Sequence, residues 1–252
     1  MSEFSMFRIP PCQRRSRQIV RSNRSLTAEF IVSDDQIPHN PFSTRNISPG
    51  TIPYLFEWNQ PNSDTKVLYD SFAKSNFLAQ IVGPHGSGKS TLLAALLTTL
   101  QQNGHNTVFV SLHDRQRFLP GKFWKELPTE NCRFFPYKKT GVKPPILVID
   151  GYEQLCYLTR FFLQFAKKTT GCGLLITTHY AFCGVPVLHQ TATSLETFKA
   201  IVRNLLHHFD TTPKIISSRF SDEFLESLFF EKHGNIREML FALYDRYEEN
   251  RS

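Results

Sequence analysis

One stretch of this chain, Gly83-Pro84-His85-Gly86-Ser87-Gly88-Lys89-Ser90, fits the pattern GxxxxGK[ST] at every specified position. A loop of small residues can fold its backbone around an anion and aim several N–H groups inward, so the pattern is specific to a phosphate chain. Gly83, Gly86 and Gly88 supply the backbone freedom. In such a loop Lys89 lies against the β- and γ-phosphates of a nucleotide, and the Ser90 hydroxyl takes one coordination position of a Mg²⁺ ion. Thr91 is the next residue into the helix and completes the candidate cofactor-binding set, Gly83 to Thr91.

The pattern requires a strand before it and a helix after it. Phe77 to Val82 reads as a short apolar strand, and Thr91 to Gln102 reads as a helix that stops before Gly104. The other half of such a site is an acidic residue at the tip of a second buried strand, placed to hold Mg²⁺ through its water shell. Pro145-Ile146-Leu147-Val148-Ile149-Asp150 provides it about 60 residues after Lys89, room for one helix and one intervening strand. Asp150 in that place also suits the cap of the next helix.

The 252 residues can bury one full α/β core with a small appended unit. A hydrophobic fraction of 40% and 23 Phe indicate a globular chain. The five cysteines form no CxxC or CxxH pair, and their odd number argues against a disulfide framework, which points to a reducing cytoplasm. No apolar run approaches 18 residues and no signal-like segment follows the first basic residues, so membrane insertion and secretion are not expected. The net charge of +7 is uneven: Arg14, Arg15, Arg17, Arg21 and Arg24 lie between Cys12 and Arg24 with no acid among them. Such a segment is either a solvated tail or an electrostatic contact to nucleic acid or an acidic protein.

Residues 1–60 hold several prolines and little periodicity and read as an extended basic arm, whose later part, Asn40 to Phe56, is apolar enough to pack on the domain or to line a base pocket. Residues 61–208 alternate helix and strand, the mark of a parallel sheet with helices on both faces. Its further strands are Thr107–Leu112, ending at His113 and Asp114, then Gly173–Thr178 followed by His179, and a fifth at Gly184–Leu188. A short helix is expected at Lys122–Leu127, and a long one from Tyr152 to Lys168. Thr193-x-x-Glu196 reads as a capping box for a helix to His208, and residues 209–252 add helices at Asp222–Lys232 and Ile236–Asn250. Ligands of such sheets lie beyond the carboxyl ends of the strands, which brings Thr178 and His179 to the same edge as the loop and Asp150.

With both motifs placed, the chain resembles a P-loop NTPase of the division that includes AAA+, ABC and RecA-like ATPases, over about residues 65–208. That resemblance implies a three-layer α/β/α fold with a mostly parallel sheet, plus a C-terminal helical region. The segments GPHGSGKSTLL and LLITTH look like the phosphate loop and switch histidine of ABC ATPases, yet no LSGGQ-type signature occurs and the spacing to Asp150 is too short for their helical subdomain. Gly234-Asn235-Ile236-Arg237-Glu238 resembles the GNxRE segment of AAA+ lids, where the Arg senses the γ-phosphate; Asn235-x-x-Glu238 is equally a capping pair at a helix start. Many relatives keep a Glu directly after the Asp of the second motif, and here that position is Gly151. Glu153, one turn on, and Asp114 are the candidates to replace it, with Thr178, His179 and Arg237 as further catalytic candidates.

The resemblance implies ATP and Mg²⁺ as ligands, ATP over GTP because no NKxD-type motif is present. A slow ATPase or nucleotide switch leads. A small-molecule kinase and a nucleic-acid-associated helper are the alternatives, and oligomerisation is left open.

Overall fold

The computed structural model describes residues 40–56, 64–113, 116–119, 143–209 and 220–249. The chain divides into Met1–Pro38 and His39–Ser252, and the described residues all lie in the second unit. Asp114, the basic segment Arg14 to Arg24 and the helix expected at Lys122–Leu127 are outside them.

Five strands, β1 (Leu78–Val82), β2 (Thr107–Ser111), β3 (Ile146–Asp150), β4 (Gly173–Thr178) and β5 (Val187–Gln190), form one sheet in the order β2-β3-β4-β1-β5. Every pairing is parallel. Parallel neighbours need crossovers, and the crossovers bring helices to both faces. Residues alternate accordingly. Ile146, Val148 and Leu175 join Leu92, Leu93, Leu96 and Leu100 of α2 (Lys89–Gln102) and Phe72 of α1 (Thr65–Lys74) on one face. Leu147, Ile149, Leu174 and Ile176 join Tyr152, Leu155 and Leu163 on the other. Leu163 belongs to α3 (Tyr157–Thr170), which ends at Gly171 in the left-handed conformation.

The helix expected to begin at Tyr152 does not. Gly151, at φ 82°, opens a single 3₁₀ turn, Tyr152–Gln154, and α3 starts only after Cys156. The reason is the left-handed backbone at Gly151, which breaks the strand direction and sends the chain back across the sheet edge. The fifth strand begins three residues later and ends two residues later than Gly184–Leu188, because Val185 is drawn inward and its carbonyl accepts from Gln80 Nε2 at 2.6 Å.

Three further helices, α4 (Leu195–His208), α5 (Asp222–Glu231) and α6 (Ile236–Glu249), enclose a separate core of Phe198, Val202, Leu206, Leu225, Met239 and Leu243. The cap of α4 is Ser194, which accepts from Thr197 N, and not Thr193, whose hydroxyl donates to the Gly234 carbonyl at 2.8 Å. Asp222 at the start of α5 pairs with Arg203 and Lys199 of α4.

The later part of the arm packs on this helical core. Phe42 is fully buried, edge-on to Phe220 and Tyr247, and Asn40 Nδ2 donates to Tyr244 O and Glu248 Oε1 of α6. We therefore expect Phe42→Ala to lower the unfolding free energy of the full chain by about 3–5 kcal/mol, the usual cost of removing a buried aromatic side chain. Urea titration checks this; an unchanged midpoint would mean that the arm contributes nothing to the fold.

Candidate functional site

Loop and acidic strand meet at the carboxyl edge of the sheet. Asp150 ends β3 on the same face as Val148 and Ile146, the face that α2 covers. Its Oδ2 accepts a hydrogen bond from Ser90 Oγ at 2.8 Å. Its Oδ1 accepts one from Thr177 Oγ1, which in turn accepts from Gly151 N at 2.9 Å.

That partner is Thr177 and not Thr178. The β3–β4 pairing ends at Ile149↔Ile176, so the next step brings Asp150 opposite Thr177. Thr178, one residue on, turns its side chain to the other face, where its hydroxyl donates to Gln80 Oε1 at 3.4 Å, while its backbone carbonyl accepts from Gly83 N at 3.2 Å. The alternation of strand side chains is the signal that separates the two, once the register is known.

The loop is held from several sides. Lys89 Nζ donates to the carbonyls of Gly83 and Pro84, both at 2.7 Å, and lies 3.2 Å from His179 Nδ1. Burial holds the Lys89 ammonium below its ordinary pKa; Glu153 and Asp150 oppose that shift, and Arg237 reinforces it. Ser87 Oγ donates to Pro84 O and lies 2.6 Å from Thr191 Oγ1. A Cβ on Gly83 would stand 2.0 Å from that same Thr191 oxygen, so only glycine fits there. At Gly86, φ 69°, a Cβ would stand 1.9 Å from Asn235 Oδ1. The C-terminal helices therefore touch the loop through Asn235, a contact that no spacing in the sequence indicates.

His179 joins the loop to Glu153. Its Nε2 lies 3.0 Å from Glu153 Oε1, its Nδ1 lies 3.2 Å from Gly83 O, and its ring stacks on His85 at 3.7 Å between centroids. Glu153, expected on a helix, is on the 3₁₀ turn, and the turn at Gly151 brings its side chain back to the sheet edge. Glu153 Oε2 is buried with no hydrogen-bond partner among the described residues.

Arg237 is exposed on the first turn of α6, within electrostatic reach of Lys89. The capping interaction is also formed: Asn235 Nδ2 donates to Glu238 Oε1 at 3.0 Å, and Glu238 N to Asn235 Oδ1 at 3.4 Å. The two expectations for this segment are thus compatible in geometry.

A cleft of about 1130 Å³ opens over the loop, with Lys89, Ser90, Asp150 and Glu153 at one end and Tyr54 and Phe241 among its other walls. Tyr54 packs 3.3 Å from where a Gly88 Cβ would be, and its hydroxyl lies 3.2 Å from His189 Nε2. The arm therefore lines the cleft as well as docking on the helical core. Among the described residues no cluster of three or more His, Cys, Asp or Glu has metal-binding spacing, and no helix is long and apolar enough to cross a membrane.

Parallel sheet, glycine-rich loop and strand-end carboxylate thus meet at one edge of an α/β fold. No protein-family model and no curated protein matches the chain. Solved structures similar to it include a replication initiator DnaA bound to AMPPCP and single-stranded DNA, at 14% identity and TM-score 0.47, over 74% of this chain and 65% of that one. A DNA replication initiation factor aligns at 15% identity and TM-score 0.48, over 74% and 62%. AMPPCP-bound DnaA from Aquifex aeolicus aligns at 13% identity and TM-score 0.41, over 76% and 68%. The alignments thus span less than two thirds of the first two structures.

Burial and the Lys89 charge hold the His179 imidazole below its ordinary pKa, against the opposing effects of Glu153 and the Gly83 carbonyl. Burial does the same to His105, which is enclosed between Tyr69 and the Pro144 carbonyl. For both, the unfolded chain takes up a proton at about pH 6.5 while the folded chain still resists it, so stability is complete above that value and falls as the pH drops below it. We expect the urea midpoint to fall between about pH 7.5 and 5.5, and His179→Gln to flatten that profile. A profile identical to wild type would show that His179 does not titrate in this window.

Proposed function

We propose that the chain binds ATP with Mg²⁺ at this edge and acts as a slow ATPase or nucleotide-controlled switch. The observation that carries the proposal is the 2.8 Å hydrogen bond from Ser90 Oγ to Asp150 Oδ2, which joins a hydroxyl and a carboxylate from separate motifs beside the Lys89 ammonium. Both are hard oxygen donors, and so few protein oxygens suit Mg²⁺, which keeps several waters when it binds with phosphates. Ser90 would hold the ion directly and Asp150 through its water shell, and the bound ion would neutralise charge on the phosphates.

The chain's own residues have the remaining tasks. The amides of the loop and Lys89 hold the phosphates, Lys89 exchanging the carbonyls of Gly83 and Pro84 for phosphate oxygens. Tyr54 and the neighbouring arm residues form the apolar wall for the base. Glu153 orients water through Oε2 while His179 holds Oε1, and Thr177 keeps Asp150 in place. Asn235 and Arg237 carry the state of the loop to the C-terminal helices.

Titration calorimetry on folded proteins tests the site: wild type should bind ATP with Mg²⁺ in the micromolar range and Lys89→Ala should not, while Asp150→Asn should bind nucleotide but lose its Mg²⁺ dependence. Equal affinity in wild type and Lys89→Ala would remove the assignment. For hydrolysis, water-orienting groups contribute about 10²–10⁴-fold, so Glu153→Gln should lower turnover by at least roughly tenfold and leave ATP affinity within a few-fold. Turnover equal to wild type would exclude Glu153, and no turnover in wild type would leave the switch alone.

A further inference from the structure

The Lys89 ammonium has three N–H bonds, and each has an acceptor: the carbonyls of Gly83 and Pro84, both at 2.7 Å, and His179 Nδ1 at 3.2 Å. An ammonium can only donate, so this arrangement fixes the tautomer of His179. Nδ1 is the bare nitrogen, and Nε2 carries the proton that it donates to Glu153 Oε1 at 3.0 Å. The pair is largely enclosed, the side chain of His179 17% exposed and that of Glu153 20%. Gly83 O lies 3.2 Å from the same Nδ1, yet a bare nitrogen and a carbonyl oxygen are both acceptors, and it is Lys89 that serves both. Among the described residues, the charged or titratable groups that face the imidazole are Lys89 from α2, Glu153 from the 3₁₀ turn and His85 from the loop, stacked at 3.7 Å; Asp150 and Arg237 act on Lys89 in turn.

We propose that phosphate entering this loop puts a proton from solvent on His179 Nδ1, so that nucleotide binding and proton uptake are linked; the inference rests on the nucleotide site proposed above. Once Lys89 donates to phosphate oxygens, Gly83 O and His179 Nδ1 lose their shared donor while standing 3.2 Å apart. Keeping the neutral Nε2–H tautomer then sets two acceptors against each other. Moving that proton to Nδ1 satisfies Gly83 O but turns a bare Nε2 on the Glu153 carboxylate. The imidazolium answers both: Nδ1–H donates to Gly83 O, Nε2–H stays on Glu153 Oε1, and no bond other than the new N–H is formed or broken. Charge acts in the same direction. With Lys89 turned to the carbonyls, burial first and the ammonium second hold the imidazole below its ordinary pKa, while Glu153 and the Gly83 carbonyl favour its protonated form. Phosphate neutralises the ammonium and leaves the favouring groups in place; the His85 ring still opposes. A group that gains proton affinity on binding takes protons up, so nucleotide binds more tightly as the pH falls through the ordinary histidine range.

Titration calorimetry of the full chain with AMPPCP and Mg²⁺ at about pH 6.5, repeated in buffers that differ in ionisation enthalpy, counts the protons taken up per nucleotide bound. Wild type should take up a fraction of one proton, on the order of one half, more than His179→Gln does, a comparison that cancels protons belonging to the nucleotide itself. The ratio of the two affinities should shift several-fold in favour of wild type between about pH 7.5 and 6. Glu153→Gln, which removes the carboxylate that favours the imidazolium, should bind with a smaller uptake. In wild type at the same pH, the nitrogen NMR resonances of the imidazole should show His179 Nδ1 bare without nucleotide and protonated with it, a readout that needs no variant to fold. Binding with equal proton counts in wild type and His179→Gln overturns the inference and leaves the nucleotide site standing, as does an Nδ1 whose protonation the nucleotide does not change. Wild type that binds no AMPPCP removes the site and the inference together.

Discussion

The carboxylate of Asp150 is the point on which the edge of the sheet is assembled. A partly buried carboxylate must be met by donors or its charge is costly, and here each oxygen accepts from a hydroxyl on a different element. Ser90 ties it to the first turn of α2, Thr177 to the end of β4. Because Thr177 also accepts from Gly151 N, the same network sets the direction in which the chain leaves β3. The phosphate-type loop, the oxygen donors and the turn that returns Glu153 are thereby located by one group. A Cβ at Gly151 would come within 3.1 Å of the Leu112 carbonyl and would sit on a left-handed backbone, so the turn depends on glycine. A side chain at that position would be strained on this path, and the carboxylate nearest along the turn is that of Glu153, two residues further on.

The loop in turn is the meeting place of distant parts of the sequence. The arm reaches it through Tyr54 at Gly88, the segment after β5 through Thr191 at Gly83 and Ser87, and the C-terminal helices through Asn235 at Gly86. Thr193 adds a bond to the Gly234 carbonyl just before α6. These contacts are close, and packed contacts of this kind shift discretely and not by gradual deformation. Under the proposed function, phosphate in the loop therefore bears on α6 directly, with no intermediate element.

Much of this was legible in the sequence because the signals were local. The strand, loop and helix around Lys89, the strand ending in Asp150, and the strand before His179 follow from apolar runs and glycine positions, and their ends differ by only a residue or two from the structure. What was not legible depended on pairing. Choosing Thr177 over Thr178 requires the β3–β4 register, and neither residue type nor spacing supplies it. The helix start after Asp150 depends on the left-handed turn at Gly151, which the apolar periodicity from Tyr152 onward does not reveal. Thr193-x-x-Glu196 has the spacing of a capping box, yet Ser194 takes the cap while Thr193 bonds to residue 234, forty-one positions away. The contact of Asn235 with Gly86 likewise joins segments far apart in sequence, visible only once both are folded.

Glu153 shows why a local departure from rule is informative. One of its oxygens is satisfied by His179, and the other is buried without a partner among the described residues. Leaving a buried acceptor unpaired costs about 1–3 kcal/mol, more for a charged group, and folds rarely retain such an arrangement without use for it. Nearby Arg160 sends its guanidinium to the Glu153 backbone carbonyl and lies over the rings of Tyr152 and Phe182, not toward the open oxygen. The turn is therefore stabilised through its backbone while one carboxylate oxygen is left without a donor. Under the proposed function that unpaired oxygen is the acceptor through which Glu153 orients water.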